Sequence, residues 1–132
     1  MKTDMYKHSE LTHKIIGVAM QVHNQIGPGF QEKIYHRAME IALPEDGLQI
    51  ESEKEFRVRF NNSWVGTFRV DILVNDLIIV ELKAVCGDMP PLFQTQTISY
   101  LKASGKEIGL LINFGNKQLE VKRLARYSNY ER

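Results

Sequence analysis

The chain has 132 residues, 17 of them basic and 16 acidic, giving a formal net charge of +1, with 43% hydrophobic and 25% charged residues. That length suits a single domain over residues 1–132, burying roughly two-thirds of its unfolded surface, and no apolar run approaches the ~20 residues of a membrane span. The near-neutral balance excludes bulk charge as a recruiter of nucleic acid, while the lone Cys86 and an N-terminus, MKTDMYKHSE, without signal-peptide character point to a reducing, cytoplasmic setting.

From Ser9 the apolar residues Leu11, Ile15, Val18, Val22 and Ile26 recur at helical spacing until Gly27-Pro28-Gly29 stops them. A second helix follows, with Phe30, Ile34, Ala38 and Ile41 on its expected apolar stripe, ending at Pro44-Glu45-Asp46-Gly47. Beyond Gly47 the period becomes two. Phe56, Val58 and Phe60 alternate with charges, Asn61-Asn62 reads as a turn, and Trp64 to Val74 alternates again. Asn75-Asp76 is another turn signal, and Leu77 to Val85 a third strand. Pro90-Pro91 opens a helix that runs to about Ser104-Gly105, after which Ile108 to Phe114 and Gln118 to Leu124 read as two further strands. The order is helix, helix, three strands, helix, two strands.

The segment VDILVNDLIIVELKAV, Val70 to Val85, places Asp71, Glu81 and Lys83 where a buried strand pair should be apolar. A charge buried without a partner costs several kcal/mol or neutralises, so these three need company. Register decides whether they meet. A two-residue Asn75-Asp76 loop would pair Asp71 with Val80 and turn Glu81 to the other face; a three-residue loop, Asn75 to Leu77, pairs Asp71 with Glu81. The second register also gathers Val70, Ile72, Val74, Ile78, Val80 and Leu82 on one apolar face, so the hydrophobic pattern favours it. Lys83, two residues past Glu81, then shares the carboxylates' face. Adjacent carboxylates repel and need a cation or a shared proton, and Lys83 alone could partly neutralise them; oxygen ligands of this kind suit Mg2+ or Mn2+, with Lys83 orienting a water or holding a phosphate.

Asp71 followed by Glu81-Leu82-Lys83 resembles the D…(D/E)-x-K signature of the PD-(D/E)XK nuclease superfamily, with Val70 in place of the proline that names it. Gln96-Thr97-Ile98-Ser99-Tyr100 resembles the Q-x-x-x-Y helix motif of its RecB-like branch. Gly29-Phe30-Gln31-Glu32-Lys33-Ile34-Tyr35 is similar to the signature of the small GxxExxY proteins, and the likeness extends to GLLINFG, Gly109 to Gly115. The resemblance implies an α/β (α+β) restriction-endonuclease-like core, a mixed central sheet of about five strands flanked by helices. It implies metal held by Asp71, Glu81 and the Leu82 carbonyl, with Glu32 as a further ligand or water-positioning group. Gln96 and Tyr100, at i and i+4, would reach the phosphate or brace Lys83.

Plainer readings stand beside these. An ion pair with Lys83, Arg69 or Arg57 accounts for Asp71 and Glu81, taken alone, as well as a site does. A solvated helix face explains Glu32 and Tyr35, and a surface hydrogen bond explains Gln96 and Tyr100. His36, four residues after Glu32, reads as an exposed helical histidine; His8, His13 and His23 share no ligand spacing. Trp64 reads as core rather than as a base-stacking platform, and Cys86 as inert. The Leu11 to Ile26 stripe serves either packing within the domain, the simpler use, or a homodimer interface. Basic residues cluster in the tail from Lys117, which holds five against two acidic, and at Arg57, Arg59, Arg69 and Lys102. The expected function is therefore metal-dependent hydrolysis of nucleic acid, DNA first, without a membrane partner. The alternatives are a ribonuclease and a catalytically idle nucleic-acid-binding or protein-interaction module on the same fold.

Overall fold

The structure, a computed structural model, describes residues 7–126. Eight elements follow in the expected order: α1 (Ser9–Ile26), α2 (Glu32–Glu45), β1 (Ile50–Phe60), β2 (Ser63–Val74), β3 (Ile78–Lys83), α3 (Pro91–Ser104), β4 (Ile108–Asn113) and β5 (Glu120–Ala125). Of the basic tail that starts at Lys117, residues 127–132 lie outside the described residues.

The strands form one mixed sheet in the order β1-β2-β3-β4-β5, all neighbours antiparallel except the β3–β4 pair. That parallel pair is a consequence of α3, which carries the chain back to the starting edge as a crossover. β3 and β4 sit at the centre and every residue of β4 is buried. This is the uninterrupted apolar run expected of a strand covered on both faces. Ile72, Val74, Ile78, Val80, Leu82, Ile108, Leu110 and Ile112 pack against Ile15, Val18 and Val22 of α1 and Tyr35, Met39 and Leu43 of α2. The α1 stripe is therefore spent inside the domain. On the other face Leu73 and Ile79 meet Leu101 of α3 in a smaller cluster.

The buried stripe of α2 differs from the one expected. Phe30, Ile34 and Ile41 are exposed, and Tyr35, Met39 and Leu43 are fully buried instead. Tyr35 decides this. Its ring stacks on Phe114 at 4.7 Å, and its hydroxyl donates to the Gly27 carbonyl at 2.6 Å while accepting the Phe30 N–H at 3.2 Å. The tyrosine thus fastens the Gly27-Pro28-Gly29 turn, whose two glycines have φ of 77° and 108°, conformations that a side chain would strain.

The β2–β3 turn holds three residues, with Val74 opposite Ile78 and Ile72 opposite Val80. Asn75 and Asp76 take left-handed conformations, which their short polar side chains tolerate, and the Asn75 Oδ1 accepts the Gln49 N–H at 2.8 Å. Val70 departs from the expected face and joins Leu73, Ile79 and Leu101 in the smaller cluster. Alternation breaks at Asp71: its opposite residue, Glu53, lies between the pairs Ser52–Ile72 and Lys54–Val70 and has φ 53°. Beyond that point the β1–β2 ribbon turns toward α3, where Phe68 stacks on Tyr100 at 4.4 Å and on Phe56 at 5.5 Å.

Candidate metal and phosphate site

Asp71 and Glu81 face each other where the β2–β3 ladder ends. The last paired residues are Ile72 and Val80, and from there the carboxylates take over the backbone's hydrogen bonding. The Asp71 N–H donates to Glu81 Oε2 at 2.9 Å, and the Leu82 N–H donates to Asp71 Oδ2 at 2.7 Å. Each carboxylate is thereby fixed to the opposite strand through one oxygen. Asp71 Oδ1 and Glu81 Oε1 have no hydrogen-bond partner among the described residues.

Burial governs their ionisation. Glu81 is 5% exposed, and its pKa is pushed up to about 8, first by burial and then by the negative charge of Asp71. Burial also raises Asp71, although the Leu82 N–H, His36 and Lys83 pull it down. Lys83 lies close enough to lower the pKa of Asp71, Glu81 and Glu32 alike, yet its ammonium makes no ion pair within 4.0 Å among the described residues. It sits 4.3 Å from the centre of the Phe93 ring, a cation–π contact that holds it in place. A simple buried ion pair is therefore not what these residues form.

Glu32, the first residue of α2, lies near enough to the pair for its charge to interact with that of Asp71. Its pKa is raised by partial burial and then by Asp71, and lowered by Lys83 and His36. The residue itself stays exposed, and no three His, Cys, Asp or Glu side chains close into a metal-holding cluster among the described residues. Tyr100 on α3 feels the pair's charge: burial raises its pKa, followed by Glu81 and Asp71. Gln96, one turn earlier, is exposed, and its side chain hydrogen-bonds to no described residue.

Three contributors were not legible in the motifs. His36 is half-buried rather than exposed; its Nε2 lies 3.0 Å from Ser52 Oγ and 3.4 Å from Glu40, and its charge bears on Asp71 and Glu32. Its i+4 spacing from Glu32 was the only sequence signal. Phe93 beneath Lys83 had none. Asn113 is fully buried and works as a strap: its Oδ1 accepts the Val85 N–H at 2.9 Å and the Gly115 N–H at 3.0 Å, and its Nδ2 donates to the Val85 carbonyl at 3.0 Å. This fixes the chain just after Lys83. Trp64, expected in the core, is 55% exposed.

The donor set suits a hard divalent cation: two fixed carboxylates, each with an oxygen to spare, whose mutual repulsion a cation would relieve. A mixed five-stranded sheet flanked by three helices, carrying such a pair beside a lysine at its centre, defines a restriction-endonuclease-like fold. The sequence profile of the PD-(D/E)XK nuclease superfamily matches residues 9–124, and the chain belongs to that superfamily. Its fold is similar to that of the crystal structure of SSO0001, with a TM-score of 0.58 at 18% identity, over 93% of this chain and 61% of that one. The chain thus spans about three-fifths of that protein's length. No curated protein matches it. No helix among the described residues is long and apolar enough to cross a membrane.

Proposed function

We infer that the protein is a metal-dependent nuclease of the GxxExxY group that hydrolyses phosphodiester bonds, with DNA as the expected substrate. The observation that carries this reading is the Asp71–Glu81 pair, anchored by reciprocal backbone hydrogen bonds with one oxygen of each left over, beside a lysine bonded to neither. Asp71, Glu81 and the Leu82 carbonyl would hold Mg2+ or Mn2+, with Glu32 as a further ligand or as the group that positions water. When bound, the cation supplies Lewis acidity, offsetting charge on the carboxylates and on the phosphoryl oxygens.

The chain's own residues supply the rest. Lys83, held over Phe93, presents a fixed positive charge where a phosphoryl oxygen becomes more negative, and can orient the attacking water. Tyr100, stacked on Phe68 and within electrostatic reach of the pair, would donate its hydroxyl to a phosphate or to the water, with Gln96 on the same helix face. The high pKa of Glu81 means that a proton must leave as the cation arrives, so metal affinity rises with pH.

Incubating the protein with circular single-stranded DNA, linear duplex DNA and RNA, each with Mg2+, Mn2+ or chelator, tests this reading. Cleavage of DNA that chelator abolishes is the expected result. Cleavage of RNA alone would transfer the reading to a ribonuclease, and no cleavage of any of the three would overturn it.

A further inference from the structure

The β1–β2 ribbon extends past Asp71 to a tip whose residues the site does not use. Arg59 lies directly opposite Trp64, and a bulge at Val58/Arg59 adjusts the ribbon so that Arg57, two residues earlier, reaches the same ring. The two guanidinium carbons sit 4.9 Å (Arg57) and 4.6 Å (Arg59) from the centre of the indole. Lys102, near the end of α3, lines the same shallow depression. All four residues are exposed, and none of the three cations takes part in an ion pair among the described residues. In a chain with net charge +1 this is a local concentration of uncompensated positive charge.

A solvated arginine usually gives up rotamer freedom when it binds an anion; one already stacked on an indole has lost part of it. Two such guanidinium groups on one ring, both on exposed residues, form a prearranged pair of forks. Their geometry fits phosphate oxygens, which accept paired donors from a planar guanidinium. The position fits too. Trp64 and Asp71 share one strand seven residues apart, about 23 Å at full extension, and Phe93 to Lys102 spans about 14 Å of α3. A backbone crossing Trp64 and the carboxylate pair would therefore bridge about four to seven steps of a duplex.

We propose that Arg57, Arg59 and Lys102, organised on Trp64, form a phosphate clamp that grips the backbone of the nucleic-acid substrate at a distance from the cleavage site. The clamp rests on the nuclease reading for the identity of its ligand, but its chemistry is binding alone. It contributes affinity rather than sequence selectivity, because phosphate contacts carry no base information.

The test is equilibrium binding of fluorescent duplex and single-stranded oligonucleotides in chelator, where cleavage does not intervene, across a range of salt. Arg57→Gln/Arg59→Gln should lower affinity at least tenfold and reduce the slope of log K against log salt by about 1.8 on a duplex, and Lys102→Gln by about 0.9. Trp64→Leu should weaken binding several-fold with both arginines intact. The chain has one tryptophan, so quenching of its fluorescence reports occupancy of the clamp itself. Thermal melts like the parent's confirm that these surface variants fold. If parent and double variant bind alike, or if oligonucleotide binds without perturbing Trp64, the clamp is wrong while cleavage stands or falls separately. Binding lost in the variants of a parent that cuts nothing would keep the clamp and remove the nuclease reading. Failure of the parent to bind either oligonucleotide at low salt overturns the clamp. So does a concentration-dependent dimer that the same substitutions dissolve while oligonucleotide affinity is unchanged.

Discussion

Asp71, Glu81 and Lys83 stand within a few residues of one another and are expected to fail in different ways when changed. Glu81→Gln removes half of the carboxylate pair, so affinity for Mg2+ and cleavage should fall together. Lys83→Met leaves the proposed ligands in place; cleavage should fall roughly 100-fold or more, while metal binding is kept or tightened by the loss of a competing cation. Calorimetric titration beside cleavage rates separates the two, and Lys83→Met cutting at the parental rate would end the assigned role. Ionisation gives an independent readout. The Glu81 pKa stands at about 8 in the folded protein against 4.5 as its ordinary value. The folded state therefore holds the proton more tightly, and this stabilisation is complete below about 4.5 and lost as pH rises through 8. In chelator the parent's melting temperature should fall from pH 5 to pH 8 more steeply than that of Glu81→Gln. Equal slopes would show that Glu81 does not titrate in this range.

At the scale of elements, the site depends on two junctions that aim its parts. The Gly27-Pro28-Gly29 turn sets the direction of α2 and hence of Glu32, and the Tyr35 hydroxyl holds that turn through two backbone groups. Tyr35→Phe keeps the stack on Phe114 but strands those groups. It should cost about 1–3 kcal/mol in urea unfolding and lower cleavage more than it lowers metal affinity, since Asp71 and Glu81 are untouched. The second junction joins β3 to β4. A Cβ on Gly115 would come within 2.3 Å of the Val85 carbonyl oxygen, a backbone atom that has no room to yield. Gly115→Ala should therefore push apart the strap that Asn113 forms with Val85, with destabilisation above about 3 kcal/mol. A variant with parental stability would mean that this loop is loose.

Across the whole molecule, burial is concentrated in β3 and β4, and it thins along the β1–β2 ribbon. Five residues of β3 and all six of β4 are buried, whereas Phe60, Trp64 and Val65 at the ribbon's far end are exposed. Hydrogen exchange should follow this gradient. Amides of Ile108 to Ile112 should exchange only through global unfolding, while those around Asn61 and Asn62 exchange through local opening. Equal protection at both ends would mean that the ribbon is braced by contacts beyond its own pairing.

The sequence by itself determined the order of elements, the turns at Asn61-Asn62 and Asn75 to Leu77, and the meeting of Asp71 with Glu81. Strand periodicity is two, so a one-residue slip would have put Glu81 opposite Val70, on the face of Ile72 and Val74, and only one register kept that face apolar. A local pattern sufficed because the competing registers differ by the cost of a buried charge. Only the tertiary structure decided which stripe of α2 is buried. Both Ile34 with Ile41 and Tyr35 with Met39 satisfy helical spacing, and the choice fell to a stack on Phe114, nearly eighty residues away. The same holds for Val70, carried to the α3 side by a left-handed Glu53 on another strand. It holds for His36, which lowers the Asp71 pKa from another element, for Glu32, whose own pKa Asp71 raises, and for Trp64, whose alternating strand runs past the end of the core into solvent. Periodicity states that a residue has two sides; which side meets a partner is fixed by elements distant in the chain, through shape and charge that no local spacing records.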